Sequence, residues 1–206
     1  MTERFSTELE TLVVGIDGAC LRVLDRLFES GDVPNLASVF ERGAAGSLES
    51  QVPPWTASAW PSLYTGTNPG KHGVFGFLNF DGYDWDVVNA SHVKERTLPE
   101  FLDYHGRSSV VVNAPVTYPT PEVNGAVVPG YLAPEDPQCH PSGILEELRE
   151  AIGDYRIYAS LEGAGNASTA DRVAEYRELA GMRGEAFRYL AGRFDPAFGF
   201  LQFQHT

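Results

Sequence analysis

Asp17 and Thr56 are the two residues of this chain whose types and settings best suit chemistry. Asp17 directly follows the apolar run TLVVGI (11–16). A carboxylate at the end of a buried strand is held by its backbone, as a metal ligand or general base requires. The same position suits a turn or a helix N-cap, because Asp-Gly is common turn chemistry. Thr56 follows Pro53, Pro54 and Trp55 and opens a stretch, 56–64, that can form helical turns. A hydroxyl at a helix start lies beside unpaired N–H groups and the positive end of the helix dipole, which stabilise an alkoxide and receive a phosphate. A divalent cation nearby would lower the hydroxyl pKa and make Thr56 a nucleophile at neutral pH. Thr56 also suits an N-cap, and the residue alone does not choose between the two.

Other polar runs point away from familiar sites. TGTNPGKHG (65–73) is not a Walker A loop: only three residues separate Gly66 from Gly70, and His72 stands where Ser or Thr is needed. GIDGAC (15–20) does not fit G-x-G-x-x-G. His92, His105 and His140 lack ligand spacing, and Cys139-His140 is a bare pair. Glu146, Glu147, Arg149 and Glu150 read as a solvated helix face.

The elements that must position Asp17 and Thr56 follow from hydrophobic periodicity. Thr11–Ile16 reads as a buried parallel strand. Leu21–Phe28 is a helix with Leu21, Leu24, Leu27 and Phe28 on one face, stopped near Gly31. Pro34 opens a second helix over 35–41, closed by Gly43. Strands are expected at 45–52 and 87–90, a helix at 97–104, strands at 108–113 and 126–128, helices at 142–152 and 170–191, and a last strand at 198–203. Gly163–Ser168 reads as a flexible loop. No internal repeat or linker divides the chain. Strands alternating with helices predict an α/β fold with a mostly parallel sheet and helices on both faces. Ligands bind beyond the carboxyl ends of such strands, where Asp17, Asn113 and His205 fall.

Bulk properties narrow the function classes. The net charge of −13 and pI near 4.7 argue against nucleic-acid binding through a basic face. Lys71 and Lys94 are the only lysines, and an acid-rich, lysine-poor surface of this kind suits a halophilic source. Cys20 and Cys139 suggest no disulfide framework, which fits a reducing, cytoplasmic setting. The N-terminus lacks the pattern of a secretory signal, and no apolar run is long enough to cross a bilayer.

VVGIDG (13–18), followed by VPPWTASAWPSLYTGTNPGKHGVFGF (52–77), resembles the alkaline phosphatase superfamily, and within it the type I phosphodiesterase/nucleotide pyrophosphatase branch. VVVNAPVTYPTPEVNGAVVPGYLAP (110–134) is similar to its microbial members. The resemblance implies an alkaline-phosphatase-like fold, Asp17 as a metal ligand, and Thr56 as both nucleophile and metal ligand. It implies divalent ions, two Zn²⁺ with Mn²⁺ as the alternative, and a small phosphoester substrate hydrolysed through a phospho-threonine. Asn89, in VVNAS, falls where the family places an oxyanion donor; it also suits an ordinary loop, and Asn113 is a weaker candidate. His72 falls in what the family uses as a structural loop. The C-x-P-S-R motif of the related sulfatases does not occur around Cys20, and the serine context of phosphoglycerate mutases fits poorly. The family's later ligands, an Asp-x-x-x-His pair, an Asp-His pair and a late His, have no counterpart, and FGFLQFQHT ends at Thr206. Residues 1–206 are therefore expected to be the N-terminal part of a phosphohydrolase domain, with little turnover alone. An unpaired sheet edge would then invite association, homo-oligomers included. The competing readings are a non-catalytic half-site completed by another chain, and a phosphotransferase of the same superfamily.

Overall fold

The computed structural model describes residues 9–160 and 167–205. The chain runs β1 (Thr11–Ile16), α1 (Leu21–Ser30), α2 (Pro34–Arg42), α3 (Thr56–Thr65), the short α4 (Pro69–His72), β2 (Leu78–Asp81), β3 (Asp84–Val87), a 3₁₀ turn at Ala90–His92, α5 (Leu98–Tyr104), β4 (Ser109–Ala114), β5 (Gly125–Pro129), α6 (Ile144–Ile152), α7 (Thr169–Phe194) and β6 (Phe198–Phe203).

β4, β5 and β6 are near-continuous runs of β-branched and aromatic residues, the composition of strands covered on both faces. They join β1 in one parallel sheet of order β1-β6-β4-β5. Alternation sorts the side chains onto two faces. Val110, Val112, Ala126, Val128 and Leu201 pack with Leu145 and Leu148 of α6 and Leu190 of α7. Val111, Val127, Phe198 and Phe200 meet Trp60 and Tyr64 of α3 on the other side. The expected α/β architecture, with helices on both faces, is the one found.

β1 is less buried than its composition suggests: it is a sheet edge, and Leu12 and Val14 are 45% and 49% exposed. Val13 reaches the cluster under α3, whereas α7 lies across β4, β6 and β5. α1 and α2 fully bury no residue, and their main aromatic contact is Phe28 on Phe40. No strand pairs with the outer side of β1 among the described residues. On the opposite edge, backbone bonds between Val127 and His140 occupy β5.

Two expected strands are corrected. The 45–52 stretch has no regular structure, and Leu48 is 90% exposed; a strand needs a ladder partner, and among the described residues none lies alongside. The 87–90 strand ends at Val87, and Ala90 begins the 3₁₀ turn. β3 instead pairs antiparallel with β2 through the turn at Gly82-Tyr83, where Gly82 has φ 63°.

α7 outruns its expected span at both ends. Ser168 starts it, accepting from the Asp171 N–H while the Asp171 carboxylate accepts from the Ser168 N–H. The expected 163–168 loop falls mostly on residues 161–166, outside the described residues. Both cysteines are free, and burial pushes the Cys139 thiol up to about 12. No helix among the described residues is long and apolar enough to cross a membrane.

Candidate active site

Strand geometry brings Asp17 to the carboxyl edge of the sheet. The last pair of β1 and β6 is Ile16 with Phe203, and the Asp17 N–H continues the ladder onto the Phe203 carbonyl at 2.9 Å. Asp17 is not a helix cap, since Cys20 holds the N-cap position of α1. Its partly buried carboxylate is a convergence point instead. Oδ2 accepts from Thr56 Oγ1 at 3.2 Å, from Trp60 Nε1 at 3.4 Å and from Gln204 Nε2 at 2.9 Å.

Thr56 is the first residue of α3, and Trp55 is the N-cap. The Thr56 hydroxyl therefore does not cap the helix; it turns to Asp17, thirty-nine positions back in sequence. Within the first turn of α3 the Ser58 N–H donates to the Trp55 carbonyl at 3.1 Å, whereas the Thr56 and Ala57 N–H groups have no carbonyl above them and face the same end. Trp60 lies one turn further on the same helix face, which explains why it shares the carboxylate. α3 is anchored by Tyr64, whose buried hydroxyl donates to the Val116 carbonyl at 3.1 Å. Beside Thr56, half-exposed Trp55 stacks on Phe77, and Phe77 meets Tyr131 edge-on.

Asn89 is the N-cap of the 3₁₀ turn, its Oδ1 accepting from the Ser91 N–H at 2.9 Å. The neighbouring Val88 shares a buried cluster with Ala57, the residue after Thr56, so Asn89 and Thr56 border one patch of core. Asn113 lies within β4 in a left-handed conformation, φ 63°. Its amide donates to the carbonyl and Oε1 of Gln202 at 3.0 and 2.8 Å. Both of its N–H groups are spent there, so it has none for a phosphate oxygen. His205 stacks on Tyr176 at 4.6 Å.

His72 is fully buried. Nδ1 accepts from the Val74 N–H at 3.2 Å, which leaves the proton on Nε2, 2.9 Å from Ser62 Oγ. The ring thus fastens the loop after α4 to α3 as a neutral imidazole. Burial holds its pKa below the ordinary 6.5, with Glu95 opposing. The unfolded chain therefore takes up a proton first, so stability is intact above about pH 6.5 and falls as pH drops toward the folded pKa. Urea unfolding near pH 7.5 and 5.5 checks this: His72→Asn, which keeps an acceptor for Val74, removes up to ~1.4 kcal/mol of the parent's acid-side loss.

A divalent cation fits Asp17 and Thr56 in part. Oxygens bound to one ion at about 2.1 Å and near right angles lie roughly 3 Å apart, close to the observed 3.2 Å. No group of three or more His, Cys, Asp or Glu side chains that could hold a metal occurs among the described residues. Asp17 and Thr56 would therefore supply only part of a coordination shell.

Residues 11–193 match the family model described as type I phosphodiesterase / nucleotide pyrophosphatase. No curated protein matches the sequence. Two solved structures of phosphonoacetate hydrolase from Sinorhizobium meliloti 1021, one in complex with phosphonoacetate and one with phosphonoformate, are similar to it. Each aligns with TM-score 0.64 and 19% identity over 95% of this chain. The chain spans about half of their length, 46%. At that identity the likeness shows the fold, an alkaline-phosphatase-like α/β architecture.

Proposed function

The chain belongs to the type I phosphodiesterase/nucleotide pyrophosphatase family, and from that membership we propose that it carries the nucleophile side of a metal-dependent phosphoester hydrolase. The observation that supports this most is the meeting of Thr56 Oγ1 and Asp17 Oδ2 at 3.2 Å. Asp17 and Thr56 would hold a divalent cation, Zn²⁺ or Mn²⁺, the other ligands coming from residues other than those described. When bound, the cation would neutralise phosphoryl charge and acidify the Thr56 hydroxyl. Thr56 Oγ attacks phosphorus in line as the bond to the leaving oxygen breaks, leaving a phospho-threonine that water hydrolyses. The first N–H groups of α3 receive the phosphoryl oxygens, and Asn89 adds an uncharged donor. The Trp55–Phe77 stack borders Thr56 and suits a flat aryl or heterocyclic leaving group.

The test is turnover of bis-p-nitrophenyl phosphate and p-nitrophenyl phosphate by the full-length protein with Zn²⁺ or Mn²⁺. Hydrolysis of at least one ester is expected. It should stop on metal removal with EDTA and return on adding back Zn²⁺ or Mn²⁺. Turnover that survives complete metal removal would overturn the reading, and transfer of the phosphoryl group to an added alcohol in preference to water would make the enzyme a phosphotransferase.

A further inference from the structure

A line of amides leads from the middle of the sheet to Asp17. Asn113 and Gln202 are both fully buried, on the adjacent strands β4 and β6. The β4–β5 register shifts between Val112 and Ala114, and this bulge coincides with the left-handed backbone of Asn113. Asn tolerates that conformation better than most residues, and bulges re-aim side chains. Here the Asn113 amide reaches across to Gln202. Gln202 Nε2 then donates to Gln204 Oε1 at 3.1 Å, and Gln204 Nε2 donates to Asp17 Oδ2 at 2.9 Å.

The polarity of this line is fixed at both ends. The Gln202 backbone carbonyl can only accept, so Asn113 must present its NH₂ there and to Oε1. An ionised carboxylate can only accept, so Gln204 must present its NH₂ to Asp17. Gln202 lies between and can satisfy both neighbours in one orientation alone. Flipping any one amide would set oxygen against oxygen or NH₂ against NH₂. The line cannot relax piecemeal, and its last N–H holds one oxygen of Asp17 in place.

We propose that Asn113, Gln202 and Gln204 form a one-way amide relay that orients the Asp17 carboxylate for binding a divalent cation. The relay rests on the reading of Asp17 as a metal ligand given above. All three are positioning residues: they act through Asp17. A carboxylate already held in place loses less side-chain freedom when a cation binds, and partners of this kind typically contribute 10–100-fold in metal affinity.

The decisive measurement is the dissociation constant of Zn²⁺ or Mn²⁺ for the metal-free full-length protein, by competition with a chelating indicator. Gln204→Met removes the last donor at a half-buried site and keeps the side-chain length; Gln202→Met cuts the line at its buried centre. Each should weaken cation binding about tenfold or more, with the melting temperature of metal-free Gln204→Met unchanged. Should Gln202→Met not fold, Gln204→Met decides alone. Asp17→Asn separates the two levels of the argument. If it weakens binding severely while Gln204→Met binds as the parent does, the relay is wrong and the site reading stands. If Asp17→Asn binds as the parent does, the site reading fails and the relay falls with it.

Discussion

Thr56→Ala is expected to lower kcat/KM of the full-length protein toward a phosphoester by more than about 10⁴-fold, the scale on which loss of a covalent nucleophile is felt. At 1.36 kcal/mol per tenfold change this is more than about 5.4 kcal/mol of transition-state stabilisation. The fold should scarcely notice. The Thr56 hydroxyl does not cap α3, and its hydrogen bond goes to Asp17, so its loss costs roughly 1 kcal/mol of stability or less. Such a split between activity and stability separates a nucleophile from a structural threonine. Thr56→Ser keeps the oxygen and should retain much of the rate. Acid quenching during turnover, followed by peptide mass analysis, should find a phosphoryl group on Thr56 in the parent and none in the alanine variant. Full activity in Thr56→Ala, or a phosphoryl group trapped on another residue, would remove Thr56 from its role.

The pairing of Asp17 with Thr56 is legible through the family resemblance of residues 13–18 and 52–77, since each residue alone also suits a turn or cap; their settings agree with it. Asp17 ends an uninterrupted apolar strand and Thr56 starts a helix after a proline pair, and such junctions gather at the carboxyl edge of a parallel sheet. β1 and β6 were bounded as read for a related reason: a dense apolar run flanked by polar residues leaves little freedom in register. The amides were not legible. Gln202 and Gln204 belong to no motif, and Gln204 meets Asp17 across 187 positions. Only the pairing of Ile16 with Phe203 makes Asp17 and Gln204 neighbours, and no local pattern announces that β6, last in sequence, lies beside β1. Trp60 left a faint signal, four residues after Thr56 on the same helix face. The β2–β3 hairpin left a stronger one, Asp81-Gly82 between Phe80 and Trp85. The expected strand at 45–52 failed in the opposite direction. Its residues could form a strand, but strand formation is settled by a neighbour, and among the described residues there is none.

Gly130→Ala should show how tightly the sheet constrains this carboxyl edge. Gly130 is buried just beyond β5, and its N–H donates to the Ala114 carbonyl at 3.1 Å. A methyl group there would overlap the Asn113 carbonyl and come within 2.9 Å of the Asn113 Cα. Those are backbone atoms, fixed between β5 and β6, and they cannot swing aside as a side-chain tip can. Relief requires β4 and β5 to separate at the bulge, which strains the Gly130–Ala114 bond and moves Asn113. Overpacking of this kind costs about 3 kcal/mol. Because Asn113 begins the amide line to Asp17, the surviving folded protein should also bind Zn²⁺ or Mn²⁺ more weakly. Gly184→Ala supplies the contrast. Gly184 lies inside α7 with nothing within 4 Å of the added methyl, so the change should stabilise by about 0.5–1 kcal/mol through helix propensity. Urea unfolding of the two variants should move the midpoint in opposite directions. A cost below about 1 kcal/mol for Gly130→Ala would mean the strands yield at this edge, and a carboxylate oriented from so soft a support would not be held by it.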